Sequence, residues 1–180
     1  MTQLFGICGS LRATSNNRML LNQAAQIFAP NSFEIGDIDL PLYNGDVEDA
    51  QGIPAAVQTL ANQIAAADAV IISTPEYNKS ISGALKNALD WVSRTKDNPW
   101  AGKPVAIMSA AAGRAGGERA QSALRLCMVP FRPRIIQGPE MLLAGCMDAF
   151  DDAGVLATDA YRKMLQGLMD ALKDELARPS

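Results

Sequence analysis

Between residues 9 and 17 the chain reads Gly9-Ser10-Leu11-Arg12-Ala13-Thr14-Ser15-Asn16-Asn17. Short hydroxyls, one guanidinium and backbone N–H groups at the start of a helix are what a phosphate dianion needs: convergent donors, a forked cation and the positive end of a helix dipole. No Gly-Lys-Ser/Thr closes the stretch, so it is not a Walker loop, and no Gly-x-Gly-x-x-Gly points to dinucleotide pyrophosphate. A thiolate phosphatase would need an arginine six positions after Cys8, and Thr14 stands there.

A second loop, Thr74-Pro75-Glu76-Tyr77-Asn78-Lys79-Ser80, has a proline to stiffen its start. Tyr77 is placed to flank a flat ring and Asn78 to hydrogen-bond its rim. Trp91 falls on the apolar face of the following helix and is expected in the core. A third loop, Ser109-Ala110-Ala111-Ala112-Gly113-Arg114-Ala115-Gly116-Gly117, is small enough to admit a ligand close to the backbone.

The chain contains no histidine. Ser-His-Asp triads, Cys-His pairs and His-containing metal sites are therefore excluded, and no metal site is expected. Cys8, Cys127 and Cys146 are too few for a disulfide framework and fit a reducing, cytoplasmic setting. The net charge of −3 offers no basic surface for nucleic acid. The longest apolar stretch, Ile64 to Ile72, contains Asp68 and is too short for a membrane span.

The elements that must position these loops follow from periodicity. Leu4–Cys8, Ser32–Ile38, Ala69–Ser73, Pro104–Met108 and Arg134–Ile136 read as strands. Helices are expected over Asn16–Phe28 with Ser15 as N-cap, from Pro54 to Ala67, over Ser82–Thr95, Gly117–Met128 and Asp159–Leu176. Asp39 to Gly52 reads as a long loop. Alternating strands and helices predict one α/β domain over residues 1–180, a five-stranded parallel sheet covered by helices on both faces. In such sheets ligands bind at the carboxyl ends of the strands, where the three loops lie.

Gly9-Ser10-Leu11-Arg12-x-x-Ser15, Thr74-Pro75-Glu76-Tyr77-Asn78, Leu85-Lys86-Asn87-Ala88-Leu89-Asp90-Trp91 and Gly116-Gly117-x-Arg119-Ala120-Gln121 together resemble the NADPH-dependent FMN reductase family. Pro41-Leu42-Tyr43 is similar to a segment of its chromate/quinone reductase branch. The resemblance implies a flavodoxin-like three-layer sandwich with strand order 2-1-3-4-5 and FMN across the three loops. It assigns Ser10, Arg12, Ser15 and Asn17 to the FMN phosphate. Pro75, Glu76, Tyr77 and Asn78 are assigned to the isoalloxazine, and the turn from Ser109 to Gly113 to its pyrimidine edge. Ser82 stands where the family usually has proline, so a looser loop after Asn78 is expected.

No protein group is then expected to act as catalytic nucleophile or acid, because hydride transfer from NADPH or NADH belongs to the flavin. Glu76 is read as a rim contact. The implied acceptor is a quinone, a flavin or a similar small molecule, taken up in a ping-pong scheme. A flavodoxin-type electron carrier, or a flavin module without turnover, is the alternative. The family resemblance implies a homodimer or homotetramer. Tyr77, Trp100, Leu142 and Leu143, read as an apolar patch near the ligand edge, suggest the same.

Overall fold

The computed structural model describes residues 1–178. A parallel sheet runs through its centre in the order β2-β1-β3-β4-β5, formed by β1 (Gln3–Cys8), β2 (Ser32–Gly36), β3 (Ala69–Thr74), β4 (Pro104–Ala110) and β5 (Arg134–Ile135). The parallel sheet is the one expected from the strand–helix alternation, and its order is the one that the family resemblance implies.

Alternation along the strands builds two cores. Phe5, Ile7, Val70 and Ile72 face one way, under α3 (Ala55–Ala66), α4 (Gly83–Val92) and α5 (Glu118–Met128). Leu4, Cys8, Ala69 and Ile71 face the other way, under α1 (Asn16–Phe28) and α6 (Asp159–Leu176). Every residue of β3 and β4 is buried, as strands covered on both faces must be. Trp91 is fully buried as expected, and its indole N–H donates to the Pro41 carbonyl at 2.7 Å.

Register puts the strand ends level. Cys8 pairs with Ser73 and Thr74 with Ser109, so the loops after β1, β3 and β4 emerge on one edge.

Three features differ from the sequence reading. A short helix, α2 (Gly45–Gln51), interrupts the expected loop from Asp39 to Gly52. Asn44 caps it by accepting the Asp46 N–H at 3.0 Å, and Asp46 and Glu48 lie in its first turn. Acids that read as loop residues are here favourable partners of a helix dipole. A sixth strand, β6 (Met141–Leu143), pairs with the upper half of β4 where β5 pairs with the lower half. Three residues are too few to leave a periodic signal. Trp100 is 1% exposed and belongs to the core under α3 and α4, not to the ligand edge; Leu143 is buried as well.

Candidate functional site

The first loop is built from the helix outward. Ser15 adopts extended backbone angles as the N-cap of α1, and its hydroxyl oxygen accepts the Asn17 N–H at 3.2 Å. Ser10 Oγ accepts the Arg12 N–H at 3.4 Å, which folds the loop back on itself. Both serines are buried and both keep their own hydroxyl proton without an acceptor among the described residues. The Arg12 side chain is exposed and makes no ion pair there. The first turn of α1 contains no acidic residue. Two hydroxyl donors and a free guanidinium thus face the positive end of a helix of 13 residues. This donor set fits a phosphate dianion.

Asn17 has different work. Its Oδ1 accepts from Ser73 Oγ at 2.8 Å and from the Ala110 N–H at 2.9 Å, while Nδ2 donates to the Ala110 carbonyl at 3.0 Å. One buried amide ties the first turn of α1 to the ends of β3 and β4.

The second loop turns tightly. Tyr77 and Ser80 exchange backbone hydrogen bonds of 3.0 Å, and the residues between them, Asn78 and Lys79, both have positive φ. That is the pattern of a primed hairpin turn, which holds Tyr77 outward, half exposed. The Glu76 carboxylate reaches the start of α5, where Oε2 accepts the Arg119 N–H at 3.1 Å and Oε1 pairs with its guanidinium at 3.5 Å.

Ser82 is buried, not part of a loose segment. It caps α4 by accepting the Leu85 N–H at 3.2 Å and donates its hydroxyl proton to the Gly9 carbonyl. The loop after Asn78 is therefore fastened to the first loop. The Leu-Lys-Asn-Ala-Leu-Asp-Trp segment acts on the same edge from behind. Asn87 accepts the Tyr43 N–H at 2.9 Å and donates to the Pro41 carbonyl at 3.0 Å, so α4 holds the Pro-Leu-Tyr segment. Tyr43 packs edge-on against Trp91 with ring centroids 5.0 Å apart.

The third loop is small for reasons of packing. A Cβ on Gly116 would lie 2.7 Å from the Leu142 backbone, and one on Gly117 2.7 Å from Ser109 Cβ. Both glycines also have positive φ. They let α5 press onto β4 and β6. Ser109 is buried here; its hydroxyl donates to the Gly116 carbonyl at 2.6 Å and accepts from Gln121 Nε2 at 2.9 Å.

The three loops surround a cavity of ≈ 380 Å³. Of the residues expected from sequence, Ser10, Arg12, Ser15, Asn17, Pro75, Glu76 and Tyr77 line it. Asn78, Ser109 and Gly113 do not. Thr14, Asn16 and the side-chain-poor run Ala110 to Ala112 line it as well, as do Cys146 and Met147. The last two arrive on the turn after β6, which docks when Cys146 N–H donates to the Ala111 carbonyl at 3.2 Å. Asn16 Nδ2 then contacts Cys146 Sγ at 3.2 Å. No local motif marks this pair, because only the pairing of β6 with β4 brings it to the edge. A larger cavity of ≈ 540 Å³ lies elsewhere, between α4 and the end of α5, but the strand-edge position and convergent donors single out the smaller one.

The whole-chain pattern matches known proteins. Residues 2–146 fit the profile of the NADPH-dependent FMN reductase family. The chain belongs to this family. An NAD(P)H-dependent FMN reductase of Pseudomonas aeruginosa is 44% identical over 173 residues, 95% of this chain and 93% of that protein. A quinone reductase of Escherichia coli is 44% identical over 144 residues, 78% of this chain and 76% of its own. Among solved structures, the flavoenzyme NAD(P)H:(acceptor) oxidoreductase FerB from Paracoccus denitrificans superposes with a TM-score of 0.87 at 32% identity, covering 98% of this chain and 97% of FerB. An archaeal flavodoxin, 9% identical with a TM-score of 0.65, shares the fold. Family membership makes this protein an FMN- and NAD(P)H-dependent oxidoreductase. Among the described residues no helix is long and apolar enough to cross a membrane.

Proposed function

We propose that this family member reduces a quinone, with NADPH or NADH as donor and FMN held across the three loops. The observation that carries the reading is the cavity itself. Unpaired donors of Ser10, Arg12 and Ser15 stand at its helix end, and Pro75, Tyr77 and Ala110 to Ala112 form smooth walls beside them. A flavin mononucleotide has the same two-part chemistry, an anion and a flat ring. Bound there, it would supply the hydride and electron transfer.

The chain's own residues bind and orient. Ser10, Arg12 and Ser15 hold the phosphate, with Asn16 and Thr14 beside them. Pro75 and Tyr77 flank the ring, and the alanines let it approach the backbone. Asn17 and Ser109 act chiefly through the backbone that they fix, since Asn17 Oδ1 and the Ser109 hydroxyl are committed to protein partners. Asn78 and Lys79 set the turn that aims Tyr77. Glu76 is held by Arg119 and shapes the wall. None of these groups needs to exchange a proton for the ring to be reached by donor and acceptor in turn. Free thiols at Cys8, Cys127 and Cys146 support a cytoplasmic setting.

A homodimer or homotetramer accords with Leu126 and Val129 at the end of α5, which are 73% and 65% exposed. A second copy is the occupant that we assign to this face.

The test is direct. Freshly purified protein should show the visible absorption of bound FMN and oxidise NADPH with a water-soluble quinone, no second protein being added. Initial-rate plots should be parallel, as successive use of one ring face requires. Flavin absorption without turnover would instead identify an electron carrier, and intersecting lines would place donor and acceptor on the protein together.

A further inference from the structure

A second cavity of ≈ 420 Å³ adjoins the first and shares Glu76, Ala111 and Ala112 with it. None of the phosphate-loop residues lines it. Arg114 and Arg119 line it as well. Arg119 already holds Glu76, through its guanidinium at 3.5 Å and its backbone N–H at 3.1 Å. Arg114 is exposed and has neither a carboxylate nor a hydrogen-bond partner among the described residues. Two cations against one carboxylate leave this cavity positive.

We propose that the second cavity receives a phosphate of the nicotinamide donor and that Arg114 is its contact. The inference rests on the reading that NAD(P)H meets a flavin in the first cavity. A nicotinamide stacked there must send the rest of its dinucleotide out of that cavity. Ala111 and Ala112 line both cavities, so two of the three residues shared between them carry only a methyl group. A guanidinium matches a phosphate with two parallel N–H donors. Glu76 would repel an anion on the Arg119 side, so the phosphate seats on Arg114. If the 2′-phosphate is the group held, Arg114 sets a preference for NADPH over NADH, which lacks it. If the diphosphate is held, both donors gain alike.

The experiment uses FMN-loaded protein and calorimetric titration with NADP⁺ and with NAD⁺, for wild type, Arg114→Ala, Arg114→Lys and Arg114→Glu. Arg114→Ala should weaken NADP⁺ binding about tenfold, the lower end for a charged hydrogen bond at an exposed site. Arg114→Lys should recover part of this and Arg114→Glu should lose more. The KM for NADPH should rise by a similar factor with kcat nearly constant. A loss confined to NADP⁺ assigns Arg114 to the 2′-phosphate, and an equal loss for NAD⁺ assigns it to the diphosphate. Unchanged affinity for both nucleotides in Arg114→Ala overturns the proposal. FMN titration of the same proteins separates the two readings: a wild type that takes up no FMN removes the flavin site itself, whereas normal FMN uptake with indifferent nucleotide binding removes only the role of Arg114.

Discussion

Asn17 and Ala110 are joined twice: the side-chain Oδ1 accepts the Ala110 N–H at 2.9 Å and Nδ2 donates to the Ala110 carbonyl at 3.0 Å. The pair imitates a rung of sheet hydrogen bonding between a helix start and a strand end 93 residues away. A motif asparagine that reads as a phosphate ligand is thereby occupied as a clamp. Asn17→Ala strands the Ser73 hydroxyl and both Ala110 backbone groups, each of which is worth about 1–3 kcal/mol if left unpaired in a buried place. FMN and riboflavin affinity should fall by the same factor, because the clamp shapes the whole cavity. A loss restricted to FMN in a fluorescence titration would make Asn17 a direct phosphate ligand.

Arg12 should behave in the opposite way. Its guanidinium has no partner among the described residues and shares the cavity with two serine donors, so wild-type protein should bind FMN on the order of 10²-fold more tightly than riboflavin, the equivalent of two charged hydrogen bonds at the weak end of their range. Arg12→Ala should erase most of that ratio without changing the melting temperature, since the side chain lies outside the core. Arg12→Lys should restore only part, as an ammonium has no fork. Equal wild-type affinities for the two flavins would remove the phosphate site from this loop.

Ser82 has φ −66° and ψ 151°, angles that a proline adopts unaided. Serine at this position reaches the same backbone by hydrogen bonds, to the Leu85 N–H and the Gly9 carbonyl. Ser82→Ala loses the helix cap and leaves Gly9 unpaired, about 2 kcal/mol together, or a fall in melting temperature of roughly 4–8 °C for a chain of this size. Ser82→Pro loses the same bonds but regains about 0.4–1 kcal/mol through a stiffer unfolded chain. Thermal unfolding should rank wild type above Ser82→Pro and Ser82→Ala last.

Tyr43 donates its phenol proton to Glu48 Oε2 at 3.0 Å, and this bond raises its pKa above the usual 10.0. Because the folded value is raised, the bond contributes fully below pH 10.0 and is lost as pH climbs through the raised value. Alkaline absorbance titration should show a step for Tyr43 later than that of a free phenol. Tyr43→Phe should delete that late step. Glu48→Gln should bring it back toward the ordinary range.

Much of the architecture was local information. The bounds of α1 and α6 lie where apolar spacing and caps put them, at Asn16–Phe28 and Asp159–Leu176. Ser15 caps α1 because a hydroxyl before a helix finds an orphan N–H whatever surrounds it. The strand–helix alternation pointed to a parallel sheet covered on both faces, because crossover chirality and burial leave few alternatives, whereas the order of its strands came from the family resemblance. The donors Ser10, Arg12 and Ser15, too, were visible as types, since a loop between a strand and a helix exposes its polar groups at the strand end. What residue types do not carry is commitment. Asn17 and Ser109 could have given their oxygens to a ligand, and only Ser73, Ala110, Gly116 and Gln121, brought from distant stretches of chain, decided that these oxygens bond to protein. Cys146 and Met147 reached the cavity through a three-residue strand whose partners lie far back in the sequence. Trp100 went to the core, and Leu126 and Val129 to the surface, because side-chain burial is settled by which faces meet across the sheet rather than by apolar character alone.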